Sequence, residues 1–481
     1  MTVPLAAGRV LPTLNEDGTR RWIRPKPSHG KLHARRRVVA YALMVVFFLI
    51  PHLRIGGKPA ILLDLPRRQF TLFGTTFLPT DTLLLMLLLA SIIITIFLLT
   101  ALFGRVWCGW ACPQTVYMEF LFRPIERWLE GGRSGSLGLD RERRHFHPRR
   151  LLKYAIYLGL ALFLAHTFLA YFVGTEQLAV WVRRSPAEHP TSFFVMAFTT
   201  GLIFFDFAYF REQTCLVACP YGRLQSVLLD RQSLIVAYDV ARGEPRMKGK
   251  ARPEGAGDCI DCGACVLTCP TGIDIRDGLQ MECIHCTQCA DACDAVMEKI
   301  GKPTGLIRYS SQDSLAGRAR HMLRPRVVLY PAALALFVGA FIYTLATKAD
   351  ADVTILRGLG APYQVQAGDL VSNQIRVKIA NRSSSDRAYH IAVAGAEGAT
   401  VIAPENPLRV PAGETATTSL FVVLPEDAFI AGVRPVTFRV SDGDGFSGEF
   451  PYRLVGPEDA ERHHHDGRRE HERASHREDG R

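Results

Sequence analysis

The chain has 481 residues, of which 48% are hydrophobic and 21% are charged. This composition excludes an intrinsically disordered protein and favours a membrane-spanning part. The formal net charge is +11, but most of the basic excess lies in segments expected on the cytoplasmic side of a membrane, which argues against nucleic-acid binding. All twelve cysteines lie between Cys108 and Cys293. Their clustering excludes a disulfide-stabilised secreted scaffold and indicates cofactor chemistry in a reducing compartment.

Five apolar runs are candidates for transmembrane helices, each about 18 residues or longer. In chain order they are 38–55, 83–103, 151–173, 192–209 and 327–345. The first run is the weakest because Pro51, His52 and Arg54 interrupt it. No apolar core precedes it, so we do not expect a signal peptide.

The distribution of lysine and arginine predicts the orientation of these helices. Residues 1–37 carry nine Lys and Arg residues and the loop 104–150 carries nine, whereas the loop 56–82 carries three and the loop 174–191 carries two. Positive charge concentrates in cytoplasmic segments. We therefore expect a bacterial inner-membrane protein with a cytoplasmic N-terminus and everything after Leu345 in the periplasm.

The last third of the chain predicts a β-sandwich. Short apolar runs at 363–365, 374–380, 390–394, 417–424 and 436–440 alternate with turn residues. Regular short strands of this kind are typical of an immunoglobulin-like sandwich, here without its disulfide. The pattern itself indicates no active site.

The tail beyond the predicted sandwich is rich in charge and histidine. Its five histidines are His463, His464, His465, His471 and His476. A solvated, disordered tail is the first interpretation and weak metal binding the second.

The strongest motif is a repeated Cys-x2-Cys-x2-Cys-x3-Cys. The two copies comprise Cys259, Cys262, Cys265 and Cys269, and Cys283, Cys286, Cys289 and Cys293. In bacterial ferredoxins with this spacing, three thiolates of one motif bind one 4Fe-4S cluster and the fourth binds the other cluster. The predicted ligand sets are therefore Cys259, Cys262, Cys265 and Cys293 for one cluster, and Cys269, Cys283, Cys286 and Cys289 for the second. A pair of zinc sites is the alternative. Pro270 follows the first motif as usual, whereas Asp294 replaces the second proline.

A second motif, Cys-x-x-x-Cys-Pro, also occurs twice. Cys108 and Cys112 form the first copy, and Cys215 and Cys219 form the second. Each copy follows a predicted inward-going helix, so each should lie near the cytoplasmic membrane surface. Thiols four residues apart on a helix could bind one soft metal ion or undergo reversible oxidation, whereas buried cysteine is also a common apolar residue. The prolines predict that both pairs lie where a helix ends or restarts.

Three further candidates are less specific. Asp206 and His166 lie inside predicted membrane helices, where an ionisable group indicates either function or hydrogen bonding between helices. His145 and His147 could bind metal, but their basic surroundings favour an interfacial segment.

These features predict the domain organisation of the whole chain. The segments are a basic N-terminus 1–37, a membrane domain 38–211 with four helices, a Cys-x-x-x-Cys-Pro segment and linker 212–257, a ferredoxin module 258–300, a linker 301–326, a fifth transmembrane helix 327–345, a β-sandwich 350–456 and a tail 457–481. The predicted fold class is a multidomain membrane protein with about five transmembrane helices. It combines a cytoplasmic α+β module for two 4Fe-4S clusters with a periplasmic immunoglobulin-like sandwich.

In this order of motifs, the chain resembles the cytochrome c oxidase accessory proteins of the CcoG/FixG (RdxA) type, a family of membrane-bound polyferredoxins. The resemblance covers nearly the whole chain except the tail. It implies a cupric reductase that converts Cu(II) to Cu(I) for assembly of cbb3-type cytochrome c oxidase. It also implies that copper is a substrate or transient ligand and that assembly factors of this oxidase, or a copper transporter or chaperone, are partners.

The chemistry of the residues agrees with this role. Iron-sulfur centres donate single electrons, and thiolates prefer the softer Cu(I). The resulting hypothesis is that electrons pass through two clusters to copper bound by Cys108 with Cys112, or by Cys215 with Cys219. One alternative is a quinol-linked polyferredoxin that relays electrons to a respiratory partner. Another is an assembly scaffold or copper carrier with structural clusters. The sequence contains no dinucleotide, flavin or haem motif that identifies the electron donor.

Overall fold

The computed structural model describes most of the chain. The described residues are 11–15, 17–66, 68–78, 81–142, 147–248, 253–318, 324–383, 385–443 and 445–457. The chain divides into two compact units between Ile342 and Tyr343. His145 and the five tail histidines lie outside the described residues.

Helices dominate the first unit. The α-helices in the described part of the chain are α1 Lys31–Leu49, α2 Thr82–Phe103, α3 Val106–Trp110, α4 Pro113–Tyr117, α5 Arg123–Glu130, α6 Gly132–Arg141, α7 Pro148–Val173, α8 Thr175–Val182, α9 Pro190–Phe205, α10 Pro220–Leu228, α11 Val240–Gly243, α12 Ala264–Thr268, α13 Gln288–Lys299, α14 Gln312–Leu315 and α15 Pro325–Ala346. Three π-helical turns occupy Met118–Phe122, Asp206–Phe210 and Thr214–Ala218.

Among the described residues, four helices are long and apolar enough to cross a membrane. They are Thr82–Phe103, Pro148–Val173, Pro190–Phe210, which includes a π-helical turn, and Pro325–Ala346. Each agrees with one of the predicted runs to within a few residues. Their side chains are mostly unburied within the protein, as expected of helices that face lipid.

The first predicted run, 38–55, is not one helix. Helix α1 begins earlier, at Lys31, and ends at Leu49, where a short 3-10 turn that contains Pro51 follows. Proline at this turn prevents continuation of the helix. The basic residues that precede the apolar run therefore form the first turns of α1, and this helix is not among the four membrane candidates.

Helix α1 nevertheless follows the bundle from one end to the other. At its start, the backbone N–H groups of Leu32 and His33 donate to Asp291 of α13. Near its end, Phe47 stacks on Tyr171, close to the end of α7, with ring centroids 5.4 Å apart. The bundle thus has a cysteine-rich end and an opposite end.

Small strands cover the opposite end. They are β1 Arg54–Ile55, β2 Lys58–Pro59, β3 Ile61–Asp64, β4 Gln69–Leu72 and β5 Thr75–Phe77. Strands β3, β4 and β5 form an antiparallel sheet, and β3 packs on α7. Helix α15 also reaches this end, where Phe341 stacks on Phe77. At the beginning of α15, Arg324 binds Asp230 at 2.6 Å.

The cysteine module is larger than predicted. Strand β6 (Ile235–Tyr238) pairs antiparallel with β7 (Ile307–Ser310), so the module extends on both sides of 258–300. Segments predicted as linkers therefore contain strands and short helices. They fold because Val236, Leu306 and Ile307 are buried against the cysteine loops, which supplies the apolar contacts that a linker lacks.

The second unit is the predicted β-sandwich. Its strands are β8 Ala351–Arg357, β9 Gln364–Gln366, β10 Leu370–Asn381, β11 Arg387–Ala394, β12 Thr400–Ile402, β13 Leu408–Val410, β14 Thr415–Pro425, β15 Val433–Ser441 and β16 Ser447–Val455. One sheet has the order β12-β14-β10-β8, with β9 also paired to β10, and the other has the order β13-β11-β15-β16. Alternating residues of both sheets, such as Val377 and Phe438, are fully buried between them.

Candidate functional site

All twelve cysteines are described, and none forms a disulfide. The structure arranges them in three groups of four. Two groups belong to the module between β6 and β7, and the third lies where α2 and α9 are followed by the Cys-x-x-x-Cys-Pro motifs.

The first group consists of three cysteines of the first ferredoxin motif and the last cysteine of the second motif. A single cavity is lined by Cys259, Cys262, Cys265 and Cys293. The pKa of Cys293 is raised to about 12, chiefly by burial and then by Cys265, Asp294, Cys259 and Cys262. Helix α13 supplies Cys293 to the other three, so the structure brings together the first predicted ligand set.

The second group consists of three cysteines of the second ferredoxin motif and the last cysteine of the first motif. Another cavity is lined by Cys269, Cys283, Cys286 and Cys289, and also by Cys265 of the first group. The pKa of Cys289 is raised well above its usual value by burial and then by the neighbouring cysteine thiols. Four thiols around a cavity are the donor set that a 4Fe-4S cluster requires, and both groups fit it.

The third group begins with the local structure of the two Cys-x-x-x-Cys-Pro motifs. Cys112 has φ −61° and ψ 127° and precedes α4, and Cys219 has φ −77° and ψ 106° and precedes α10. Proline occupies the first helical position in both cases, where its lack of an N–H group costs nothing. Both motifs therefore interrupt a helix, as predicted.

The two motifs form one group rather than two separate pairs. The pKa of Cys215 is raised by burial and then by the thiols of the other three cysteines. The pKa of Cys108 is raised to about 11, chiefly by burial and to a smaller extent by Cys112 and Cys219. The pKa of Cys112 is also raised by burial and by Cys219. Since every pair among the four interacts, we call them the four-thiol set.

The four-thiol set lies directly against the second ferredoxin group. Cys108 and Cys215 pack in one buried cluster with Ile284 and Cys286. A Cβ atom at Gly109 would lie 2.6 Å from the carbonyl oxygen of Ile284 and 2.9 Å from the Cα atom of Cys286. Only glycine permits this approach, so the first motif and the second ferredoxin loop are in backbone contact.

Polar side chains hold the two Cys-x-x-x-Cys-Pro motifs together. Asp206 accepts hydrogen bonds from Gln114 at 3.2 Å and from the hydroxyl of Thr214. Gln114 follows the first motif and Thr214 precedes the second. Of the two interpretations of Asp206, the structure supports hydrogen bonding between segments.

The other two candidates lie away from the cysteines. His166 lines a cavity of about 180 Å³ with Trp181, His189 and Met196, and its Nδ1 lies 2.8 Å from the carbonyl oxygen of Leu162. His147 accepts a hydrogen bond from the backbone N–H of Arg149 and caps α7. His147 therefore has a structural role as the N-cap residue of α7.

Sequence reasoning missed a set of buried charges beside the four-thiol set. Arg123 lies 3.2 Å from Glu212 and also binds Glu119, which accepts a hydrogen bond from Gln288 at 2.9 Å. Glu119, Arg123 and Glu126 recur at intervals of four and three residues. This spacing was a detectable signal, because it places all three on one face of a helix.

Two basic residues, one in α1 and one directly before α3, also belong to this region. Arg36 is fully buried and donates from Nε to the carbonyl oxygen of Gly109 at 2.9 Å. Arg105 interacts with Cys108 and opposes the rise in its pKa. The run of arginines in the sequence predicted orientation in the membrane, but it gave no indication that one of them is buried against a cysteine motif.

Three family models agree with this architecture. Residues 84–132 match a family model described as a 4Fe-4S binding domain, residues 210–312 match a 4Fe-4S dicluster domain, and residues 341–457 match the Ig-like fold at the C-terminus of FixG. A crystal structure of a FixG-related protein from Vibrio parahaemolyticus covers 23% of this chain and 98% of its own, at 16% identity and a TM-score of 0.21.

Curated relatives match most of the chain. Protein RdxB of Cereibacter sphaeroides is 36% identical over 83% of this chain and 88% of its own length. Protein RdxA of the same organism is 33% identical over 88% and 94%, and nitrogen fixation protein FixG of Rhizobium meliloti is 31% identical over 82% and 83%. With its two ferredoxin groups, membrane helices and C-terminal sandwich, the chain belongs to the FixG/RdxA family of iron-sulfur electron-transfer proteins.

Proposed function

We propose that this protein reduces Cu(II) to Cu(I) for assembly of cbb3-type cytochrome c oxidase. The observation that carries the proposal is the packing of Cys108 and Cys215 on Cys286. It places a soft, sulfur-rich site directly beside a ferredoxin group. Thiolate surroundings favour Cu(I) over Cu(II), and the reduction needs one electron for each copper ion.

The proposed cluster ligands are the two groups of ferredoxin cysteines that line the two cavities. The first cluster is assigned to Cys259, Cys262, Cys265 and Cys293, and the second to Cys269, Cys283, Cys286 and Cys289. When bound, such clusters accept and donate single electrons. Cys265 lines both cavities, so the protein holds the two groups side by side.

The protein's own residues arrange a continuous route. Cys265 connects the two ferredoxin groups, and Cys286 connects the second group to the four-thiol set. Arg36 and Arg105 supply positive charge next to this route, which suits anionic clusters and thiolates. Copper would receive its electron at Cys108, Cys112, Cys215 and Cys219.

The test is a stoichiometric copper assay. The full-length protein is purified anaerobically, its clusters are reduced, Cu(II) is added, and Cu(I) formation is followed together with cluster reoxidation. The double variant C108S/C215S should lose Cu(I) formation, whereas Ala218→Ser, an exposed position in the second motif, should retain it. Clusters that stay reduced in the wild-type protein, with copper still cupric, would contradict the proposal. Copper that binds without being reduced would favour the carrier or scaffold alternative.

A quinol-linked electron relay is the second candidate. The observation in its favour is the cavity that contains His166 and Met196, in which the rings of Trp181 and His189 lie 5.1 Å apart. Aromatic and histidine side chains around an apolar cavity suit a quinone ring. Addition of a short-chain quinol to the oxidised protein should then reduce the clusters without copper, and unchanged cluster spectra would eliminate this candidate.

The proposal includes an orientation and partners. Basic segments and clusters are placed in the cytoplasm and the β-sandwich in the periplasm, where it would contact assembly factors of the oxidase or a copper transporter or chaperone. A phosphatase reporter fused after residue 457 should be active, and one inserted in the loop 104–150 should be inactive. The reverse result would contradict this orientation.

A further inference from the structure

We infer that Cys108, Cys112, Cys215 and Cys219 together bind a third 4Fe-4S cluster. This inference deepens the proposed function, because it names what the four-thiol set holds. The four thiolates would then hold a cluster that supplies the electron, and copper would not be bound by a single cysteine pair.

The spread of the sulfur atoms is the first reason. Among the described residues, no three side chains of His, Cys, Asp or Glu lie close enough to share one metal ion. The eight ferredoxin cysteines, whose spacing is typical of cluster ligands, also include no three that lie close enough to share one metal ion. The four-thiol set is likewise too open for one ion, although Cys108 and Cys215 pack in one buried cluster. A 4Fe-4S cluster fits such a set because each thiolate binds a different iron.

The donor chemistry is the second reason. All four members are cysteines, and the adjacent carboxylate of Asp206 is hydrogen bonded to Gln114 and Thr214. Cys108 donates a hydrogen bond to Oε1 of Gln225 at 3.0 Å, but all four candidate ligands are thiols, and such a set favours zinc or iron-sulfur binding. Zinc would require a tetrahedron of thiols around one ion, which the spread of the sulfurs does not provide.

Hydrogen bonding to sulfur is the third reason. Backbone N–H groups of Gln114 and Thr115 donate to the sulfur of Cys112. In the ferredoxin module, the N–H groups of His285 and Gln288 act in the same way on Cys283 and Cys286. Donors of this kind stabilise thiolates and tune the potentials of iron-sulfur centres.

The cysteine count of the first matched region is the fourth reason. Residues 84–132 match a 4Fe-4S binding domain but contain only Cys108 and Cys112. Two cysteines cannot supply the four ligands of a cluster. The structure supplies the missing pair from Cys215 and Cys219.

The test is a count of iron and acid-labile sulfide in the anaerobically purified full-length protein. We expect about twelve iron atoms per chain, and about eight would overturn the inference. The variants Cys112→Ser and Cys219→Ser should each lower the count by about four while the ferredoxin signals in electron paramagnetic resonance spectra remain. Ala111→Ser and Ala218→Ser introduce the same side chain at neighbouring positions and should leave the count unchanged.

Retained ferredoxin signals also serve as the folding control for the serine variants. About twelve iron atoms that do not decrease in either serine variant would contradict the assignment of ligands. About eight iron atoms accompanied by one copper ion would instead support copper binding by a cysteine pair. The iron count requires no copper reduction, so failure of the copper assay and failure of this inference are separate results.

Discussion

The Nδ1 atom of His285 accepts a hydrogen bond from the backbone N–H of Arg105 at a distance of 3.1 Å. His285 is fully buried between Cys283 and Cys286 of a ferredoxin motif, and Arg105 precedes the first Cys-x-x-x-Cys-Pro motif. Next to this bond, Tyr309 of β7 accepts a hydrogen bond from Trp110 and donates one to the carbonyl oxygen of His285. The segment that follows α2 and the cysteine module are therefore joined by hydrogen bonds as well as by apolar packing.

The first prediction concerns this bond. His285→Ala leaves a buried N–H group without a partner and creates a cavity, so the variant should lose about 1–3 kcal/mol of stability. The temperature at which the iron-sulfur absorbance disappears on heating should fall. His29→Ala, an exposed histidine, is the control and should leave this temperature unchanged. Equal temperatures for His285→Ala and the wild type would show that the bond does not stabilise the module.

The second prediction concerns the buried charge of Arg36. Burial raises the pKa of Cys286 to about 11, and Arg36 acts in the opposite direction because its positive charge favours the thiolate. The same charge should favour the reduced, more negative state of the second cluster. Arg36→Gln should therefore lower its reduction potential by on the order of 50 mV.

A redox titration followed by electron paramagnetic resonance measures this shift. Arg35→Gln removes an exposed charge from the preceding position, where solvent screens it, and should change the potential much less. Equal shifts in the two variants would mean that burial of Arg36 next to the cysteine has no effect on the reduction potential.

The third prediction concerns pH and Glu126. Its carboxylate lies 2.9 Å from Arg211 and 3.2 Å from Lys153. Burial alone would raise the pKa of Glu126, but Arg211 and Arg24 hold it well below its usual value. The folded state therefore prefers the ionised form. Its contribution to stability is complete above about pH 4.5 and is lost as pH falls towards the folded-state pKa.

Glu126→Gln should leave several buried cations without their shared partner and cost about 3–5 kcal/mol at pH 7. The difference in thermal stability between variant and wild type should shrink between pH 5 and pH 3. Glu188→Gln, which alters an exposed ion pair with Arg184, should cost less than about 1 kcal/mol. A constant difference between wild type and Glu126→Gln throughout this range would contradict the assigned pKa shift.

The fourth prediction concerns the junction between α1 and α13. A Cβ atom at Gly30 would lie 2.2 Å from the carboxyl carbon of Asp291, whose oxygens bind the N–H groups of Leu32 and His33 at 3.2 and 2.6 Å. Gly30→Ala should displace this carboxylate and cost about 1–2 kcal/mol. Protease sensitivity of the N-terminal segment should then increase. Gly138→Ala, where a Cβ atom meets nothing within 4 Å, should show no such increase.

The parts of the site that depend on local spacing could be predicted from sequence. Each ferredoxin motif has a fixed spacing, and the exchange of Cys269 and Cys293 between the two groups follows from it. The proline after Cys112 likewise predicted an interrupted helix. These features depend on residues that are close together in the chain.

Features that depend on distant contacts could not be predicted. The two Cys-x-x-x-Cys-Pro motifs appeared as separate pairs because only tertiary packing brings Cys108 near Cys215. The burial of Arg36 depends on the packing of α1 against Gly109. The run of arginines has no periodicity that shows which of its members is buried. The end of α1 was misplaced because hydrophobicity continues past Leu49, whereas Pro51 ends the helix.

The pairing of β6 with β7 has a consequence for biosynthesis. β6 precedes every ferredoxin cysteine and β7 follows the last one, so this sheet can close only after Ser310 has left the ribosome. By then α1, α2, α7 and α9 have been synthesised, while α15 has not. The order of synthesis thus allows metal loading of the cysteine module before α15 and the C-terminal domain have been synthesised.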